Sequence, residues 1–210
     1  MKHLALITFS ALLLFSFIGC KKGVADFTLT GTITDNSFSA PLSGATVKLY
    51  ATEAGGLSVE LIATTTLGSD GIYSFTFERG KTETYHLSVS KTGYFELYED
   101  IPFSDLTIEE NNVRDYATTT KSWVELRFIN TSPLTDDVLQ YIKQEGKSDC
   151  ADCCTDGDVY LEGAIDTSIY CINDGNSEYR YYYWVHNSTN QGPKSAITPP
   201  FDTVQILLSY

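Results

Sequence analysis

Hydrophobic and polar residues alternate along most of the chain, as they do in β-strands whose two faces meet different environments. The first half contains five alternating runs, at positions 27–33, 45–49, 57–61, 73–77 and 85–89. Turn-forming sequences such as Gly55-Gly56 and Asp70-Gly71 separate these runs, and threonine, tyrosine and phenylalanine are abundant in them. Short strands at this spacing predict a β-sandwich.

The second half shows the same periodicity at positions 124–128, 159–165, 169–172, 179–185 and 204–208. The segment 136–143 fits either a short helix or an irregular strand. A polar stretch at 116–121 separates the two halves. We therefore predict an all-β protein of two β-sandwich domains, at 27–118 and 119–210.

The first nineteen residues have the pattern of a secretory signal peptide. Lys2 and His3 precede a mainly apolar run at 4–18, which is shorter than the roughly 20 residues that span about 30 Å of hydrocarbon. The sequence Phe17-Ile18-Gly19-Cys20 resembles the lipobox of bacterial lipoproteins, in which a peptidase cleaves before an acylated cysteine. The resemblance implies a signal peptide at 1–19, lipidation of Cys20 and a tether at 20–26. The alternative is an ordinary secretory peptide that happens to precede a cysteine.

Charge narrows the range of partners. The sequence has 14 basic and 27 acidic residues, for a net charge of −13, and such a surface repels nucleic acid and anionic headgroups. We expect membrane attachment through the lipid on Cys20 alone. Lys21 and Lys22 stand where an aspartate would retain a lipoprotein at the inner membrane, so the outer membrane of the bacterial cell envelope is favoured.

Four motifs in the first half occur in a recognisable order: 29–35, 41–49, 66–75 with Asp70-Gly71 at a turn, and 85–94 with Gly93 near its end. Together they are similar to the carboxypeptidase regulatory-like domain over positions 27–100. The resemblance implies a transthyretin-like, seven-stranded sandwich. That family serves as an accessory module in peptidases, receptors and surface proteins, so the resemblance implies a fold and no chemistry.

Apart from Cys20, all cysteines lie in the second half, at Cys150, Cys153, Cys154 and Cys171. An even number in an exported chain predicts two disulfides. A bond between the neighbours Cys153 and Cys154 would be strained, so one of them is expected to pair with Cys171 and the other with Cys150. The alternative is a four-thiolate zinc site, although a second CxxC sequence is missing.

Nine carboxylates accompany these cysteines between positions 145 and 178. They suggest either a solvated acidic loop or a calcium site that uses Asp156 and Asp158. The EF-hand pattern fails, because Cys154 and Gly163 occupy ligand positions. We predict no metal and no cofactor, with these two aspartates as the calcium candidates.

Aromatic residues fill both faces of the run 179–185. One face belongs to the core, and the other carries Tyr182 and Trp184, which could bind sugar rings or a partner protein. Trp123 raises the same possibility. These three residues are the predicted ligand-binding candidates.

Catalytic signatures are scarce. The chain after position 19 contains only His86 and His186, and it has no HExxH or GxSxG motif. His86 is expected to be solvated. We predict a non-enzymatic, lipid-anchored envelope protein that acts as a scaffold or interaction module. The alternative hypothesis is a glycan-binding accessory lipoprotein, whose protein or glycan partner the sequence does not name.

Overall fold

The computed structural model describes residues 25–56 and 58–210. The predicted signal peptide, Cys20 and most of the predicted tether lie outside the described residues. Within the described ranges, every regular element is a β-strand apart from one turn of 3-10 helix at Phe103–Asp105, so the predicted all-β fold is confirmed. Among the described residues, no helix is long and apolar enough to cross a membrane.

The strands of the first half form two sheets. Their bounds are β1 Asp26–Asp35, β2 Ala40–Pro41, β3 Thr46–Glu53, β4 Val59–Thr66, β5 Ile72–Glu78, β6 Thr82–Ser90, β7 Leu97–Pro102, β8 Asn112–Val113 and β9 Tyr116–Thr118. One sheet has the order β4-β3-β6-β7, and the other centres on β1, which pairs with β2, β5, β8 and β9. β8 and β9 run parallel to β1.

The alternation seen in the sequence explains the core of this first sandwich. Leu29 and Ile33 of β1 face Leu49 and Leu87 of the opposite sheet, and all four are fully buried. The edge strand β4 departs from this pattern, because Val59 and Leu61 are about half exposed. Its predicted half-buried run therefore belongs to an outer edge of the sandwich.

The second half forms another pair of sheets. Their strands are β10 Lys121–Ile129, β11 Val138–Glu145, β12 Val159–Glu162, β13 Asp166–Asp174, β14 Glu178–Val185, β15 Gln191–Ile197 and β16 Thr203–Ser209. The sheet orders are β13-β10-β16 and β12-β11-β14-β15. The segment that the sequence left open between helix and strand is strand β11. Leu126, Phe128, Tyr181 and Cys171 lie in this second core.

The two sandwiches meet at a packed junction. The Phe201 ring lies edge-on to Tyr94 with centroids 5.4 Å apart, and it stacks with Phe38 at 6.3 Å. The Asn176 side chain donates a 2.7 Å hydrogen bond to the carbonyl of Ser37. Gly93 has φ +82°, and a Cβ there would lie 2.9 Å from the Phe201 ring, so the junction requires glycine at this position.

Candidate functional site

Strand β14 places three aromatic rings in the core and leaves two outside. Tyr179, Tyr181 and Tyr183 point inward and are buried. Tyr181 packs edge-on against Phe128 at 5.8 Å between centroids, and burial raises the pKa values of the inward-facing Tyr179 and Tyr181. The inward tyrosines therefore fix the strand against the opposite sheet, and the outward side chains stand on a rigid support.

The outer surface of β14 and its neighbours forms a partly apolar sheet face. Tyr182 is paired across the sheet with Ile142 on one side and Pro193 on the other, and Trp184 is paired with Gln140 and Gln191. The rings of Tyr182 and Trp184 lie 4.7 Å apart between centroids, and both residues are partly exposed. We call this surface the aromatic face; it comprises Gln140, Ile142, Tyr182, Trp184, Gln191 and Pro193.

A cavity of about 350 Å³ opens at the Trp184 end of the aromatic face. Its lining includes Gln140, Trp184, His186 and Gln191. The Gln140 side chain is held at both ends: its Nε2 donates to Asp158 at 2.9 Å, and its Oε1 accepts from His186 Nε2 at 3.0 Å. Because the amide oxygen can only accept, His186 Nε2 is the donor, and this bond orients the imidazole ring. The cavity thus combines an indole ring with oriented polar groups.

The loop that follows Trp184 is also held in place. The backbone N–H of Val185 donates to the carbonyl of Asn190 at 2.9 Å, and the Ser188 hydroxyl donates to the carbonyl of Val185 at 3.0 Å. The Tyr183 hydroxyl donates to the Asn190 side chain at 2.9 Å. These bonds preorganise the cavity wall, which lowers the entropic cost of binding.

Trp123 does not join the other two candidate residues. It lies on β10, in the sheet β13-β10-β16, beside Ile172 and Thr203. Its side chain is 36% exposed on the outer surface of that sheet. The predicted aromatic residues therefore divide between the outer surfaces of opposite sheets, and only Tyr182 and Trp184 form a common face.

The cysteines form two disulfides, Cys150–Cys153 and Cys154–Cys171, with Cα atoms 5.1 and 5.2 Å apart. The pairing is one of the two that the sequence left open, and the zinc alternative is excluded because all four sulfurs are bonded. Cys171 is fully buried in the core, so its bond to Cys154 joins the cysteine-bearing loop directly to β13.

The acidic loop is held by a lysine side chain that the sequence analysis did not single out. Lys143, on the inward side of β11, is almost completely buried, and its Nζ donates to the carbonyls of Lys147 and Cys154, each at 2.7 Å. The same Nζ lies 2.7 Å from Asp156 Oδ1. Hydrogen bonds from Lys143 and Ser148 lower the pKa of Asp156. The burial of Lys143 could have been predicted from the alternation of the strand, because Lys143 follows Leu139 and Tyr141 on the inward face of β11.

The two calcium candidates have other partners. Asp156 is bound to Lys143 and Ser148, and Asp158 accepts the hydrogen bond from Gln140. Among residues 25–56 and 58–210, no three acidic, histidine or cysteine side chains converge as metal ligands. The acidic loop is therefore organised around a lysine ammonium.

His86 differs from its expected solvated state. Its Nδ1 lies 2.6 Å from Asp100 Oδ1, its Nε2 lies 2.8 Å from the Thr52 hydroxyl, and its side chain is only 13% exposed. This is the hydrogen-bond order of a nucleophile, base and acid. The Tyr98 ring stacks on the imidazole with centroids 5.5 Å apart. These four side chains link strands β3, β6 and β7 on the outer surface of their sheet.

No protein-family model and no curated protein matches the chain. Among solved structures, a double mutant of shaft pilin SpaA from Lactobacillus rhamnosus GG is similar at 11% identity and TM-score 0.34, over 89% of this chain and 98% of the pilin chain. The Bacillus anthracis TIE protein has 15% identity and TM-score 0.36, over 88% of this chain and 34% of its own. Catechol 1,2-dioxygenase from Acinetobacter sp. ADP1 has 15% identity and TM-score 0.32, over 54% of this chain and 47% of its own. At these identities and scores, the chemistry of these proteins is not carried over to this chain.

Proposed function

We propose that the chain is a lipid-anchored, non-enzymatic protein of the bacterial cell envelope whose second sandwich presents the aromatic face to a partner. The observation that carries the proposal is the pair of partly exposed rings of Tyr182 and Trp184, 4.7 Å apart on a sheet supported by buried tyrosines. Paired aromatic side chains on a rigid support supply large contact areas at low entropic cost. The first sandwich, with its resemblance to carboxypeptidase regulatory-like domains, would serve as a spacer.

The experiment compares capture of envelope components by the immobilised wild-type protein and by two variants. The double variant Tyr182→Ala, Trp184→Ala removes the rings of the aromatic face, and Trp123→Ala removes the indole on the opposite sheet. We expect the first to lose the retained partner and the second to keep it. Equal retention by all three proteins would contradict a role for the aromatic face.

The anchor is tested separately. Lipidation of Cys20 predicts an intact mass that corresponds to cleavage before this residue plus an acyl modification, and recovery of the protein in the membrane fraction. Cys20→Ala should move the protein to the soluble fraction. A wild-type protein that is already soluble and unmodified would support the ordinary secretory peptide.

A second candidate function is glycan binding, and the cavity beside Trp184 favours it. A sugar ring can pack on the indole while its hydroxyls meet the amides of Gln140 and Gln191 and the His186 imidazole. The sequence has two tryptophans, so Trp123→Phe leaves Trp184 as the only indole reporter. We expect neutral oligosaccharides to change the fluorescence of that variant in a saturable way. An unchanged spectrum would direct the search to protein partners.

A further inference from the structure

One side chain from each strand of the sheet β12-β11-β14-β15 lies in a single row across its outer surface. Gln140 of β11 is paired with Tyr160 of β12 on one side and with Trp184 of β14 on the other. Trp184 is in turn paired with Gln191 of β15. Residues directly opposite each other in antiparallel strands point to the same side of the sheet. We call these four residues the cross-strand row.

Tyr160 adds an aromatic ring that the sequence analysis did not single out. Its neighbours Val159 and Leu161 pack against the second core, so the Tyr160 side chain points outward, and the residue is 52% exposed. Its ring lies edge-on to the His186 imidazole, with centroids 6.3 Å apart. Tyr160 therefore extends the aromatic surface of the sheet onto β12.

Aromatic rings and amides alternate along the cross-strand row. Tyr160 and Trp184 lie on strands that are separated by one strand, β11. Because neighbouring strands are about 4.8 Å apart, the two ring-bearing strands are about 10 Å apart, which is close to the length of two linked sugar rings. In an extended glycan with β-1,4 linkages, alternate sugar rings present the same face. One sugar ring can therefore stack on Tyr160 and the next but one on Trp184.

The amide between the two rings keeps hydrogen-bonding capacity for a ligand. Gln140 Nε2 donates one of its two hydrogens to Asp158, and Oε1 uses one of its two lone pairs to accept from His186. One N–H and one lone pair remain, and the two existing bonds fix their direction. A glycan that runs from Tyr160 to Trp184 passes over this amide, so its hydroxyls meet a preoriented donor and acceptor.

The row favours an uncharged ligand that carries hydroxyl groups. None of its four side chains is charged at neutral pH, and Asp158 beside it is already hydrogen-bonded to Gln140. The net charge of −13 repels anionic polymers. The buried centre of a protein–protein interface is mainly apolar, whereas here an amide separates the two rings. A neutral glycan suits both the rings and the amide.

We propose that the cross-strand row binds an extended, uncharged, linear glycan that lies perpendicular to the strands. The inference rests on the proposed glycan-binding function, and it adds the direction of the bound chain, its minimum length and a role for Tyr160. Alternate sugar rings stack on Tyr160 and Trp184, and hydroxyls of the intervening ring bond to Gln140. A disaccharide reaches one aromatic ring, and a tetrasaccharide reaches both.

The first experiment is a calorimetric titration of the full chain with β-1,4-linked di- and tetrasaccharides of glucose and of mannose. Maltotetraose, whose α-1,4 linkages make the chain coil, is the control for shape. We expect a β-1,4-linked tetrasaccharide to bind about tenfold more tightly than its disaccharide and than maltotetraose. Equal affinities for the disaccharide and the tetrasaccharide would overturn the inference and leave the glycan site beside Trp184 in place. Absence of binding by every saccharide would overturn both.

Matched tyrosine variants test the second ring. Tyr160→Ala removes the ring at the end of the row, and Tyr170→Ala removes a tyrosine of similar exposure, 61%, from the opposite sheet. We expect Tyr160→Ala to lower the affinity for the tetrasaccharide to that for the disaccharide, whereas Tyr160→Phe, which keeps the ring, and Tyr170→Ala should leave it unchanged. Unaltered binding of the disaccharide by Tyr160→Ala shows that the variant is folded. Equal weakening by Tyr160→Ala and Tyr170→Ala would overturn the inference.

Discussion

Lys143 shows how one side chain organises a loop that looks unstructured in the sequence. Its ammonium group is shared by two backbone carbonyls and the Asp156 carboxylate, so the cysteine-bearing loop closes over the end of β11. The scattered acids and cysteines of this region do not indicate which charged side chain is buried. Once 138–145 is known to be a strand, its alternation does so, because Lys143 falls on the same inward face as Leu139 and Tyr141.

Replacement of Lys143 by methionine should destabilise the second sandwich. The variant keeps the apolar stem but leaves the carbonyls of Lys147 and Cys154 without their donor, which should lower the free energy of unfolding by about 1–3 kcal/mol. Urea denaturation measures the change. The control Lys194→Met removes a lysine that makes no ion pair among the described residues, and its effect should stay within about 0.5 kcal/mol. Equal effects would contradict the role of Lys143.

The Asp156 carboxylate should make the stability of the folded protein depend on pH. Its pKa is lowered in the folded protein, chiefly by the hydrogen bond from Lys143, so its contribution is complete at neutral pH and is lost as the pH falls below its ordinary value of 3.8. The urea midpoint of the wild type should therefore fall more between pH 6 and pH 3 than that of Asp156→Asn. Parallel curves for the two proteins would show that the carboxylate contributes nothing. Glu125 and Asp137 also have lowered pKa values, so some acid sensitivity remains in both proteins.

At the scale of elements, alternation predicted most strands because one face of each sheet is buried. Alternation did not decide between helix and strand for 136–143, because the buried Lys143 interrupts the apolar series there. It also suggested burial for Val59 and Leu61, because periodicity does not distinguish a central strand from the edge strand β4. Trp123 and Trp184 lie apart because β10 and β14 belong to different sheets, and the periodicity of a sequence does not show which strands share a sheet.

The two disulfides should differ in their contribution to stability. Cys154 and Cys171 are 17 positions apart and connect a loop to the core, whereas Cys150 and Cys153 are 3 apart within one turn. Loop-closure entropy predicts a loss of about 3 kcal/mol for the double variant Cys154→Ala, Cys171→Ala and about 2 kcal/mol for Cys150→Ala, Cys153→Ala. Thermal unfolding followed by circular dichroism measures both. A larger loss from the second pair would contradict this order.

At the scale of the whole molecule, the junction determines where the aromatic face stands relative to the first sandwich. Phe201 from the second sandwich fits against Phe38, Gly93 and Tyr94 of the first, and Lys147 reaches across so that its Nζ lies 3.9 Å from the centroid of the Phe95 ring. Periodicity does not predict this packing, because Phe201 lies more than 100 positions from Phe38, Gly93 and Tyr94 and Lys147 lies 52 positions from Phe95. A packed junction holds the aromatic face in a fixed position relative to the first sandwich, whereas a flexible linker would not.

Loss of the Phe201 ring should uncouple the sandwiches. In calorimetry we expect the wild type to unfold in one transition and Phe201→Ala to show two, with a larger radius of gyration in X-ray scattering. Ile108→Ala is the control, since both side chains are 49% exposed and Ile108 lies away from the junction. If Phe201→Ala keeps one transition and an unchanged radius, the remaining contacts, such as the Asn176 side-chain bond to Ser37, hold the junction without the Phe201 ring.

The parallel pairing of β10 with β16 affects the order in which the protein can fold. β10 is the central strand of its sheet, and its partner β16 lies about 80 positions later in the chain. The first sandwich has all of its strands once residue 118 has emerged, whether from the ribosome or from an export channel. The second cannot complete its core until residues 203–209 arrive, so the buried Cys154–Cys171 disulfide can be enclosed by a finished core only after the last strand of the chain has paired.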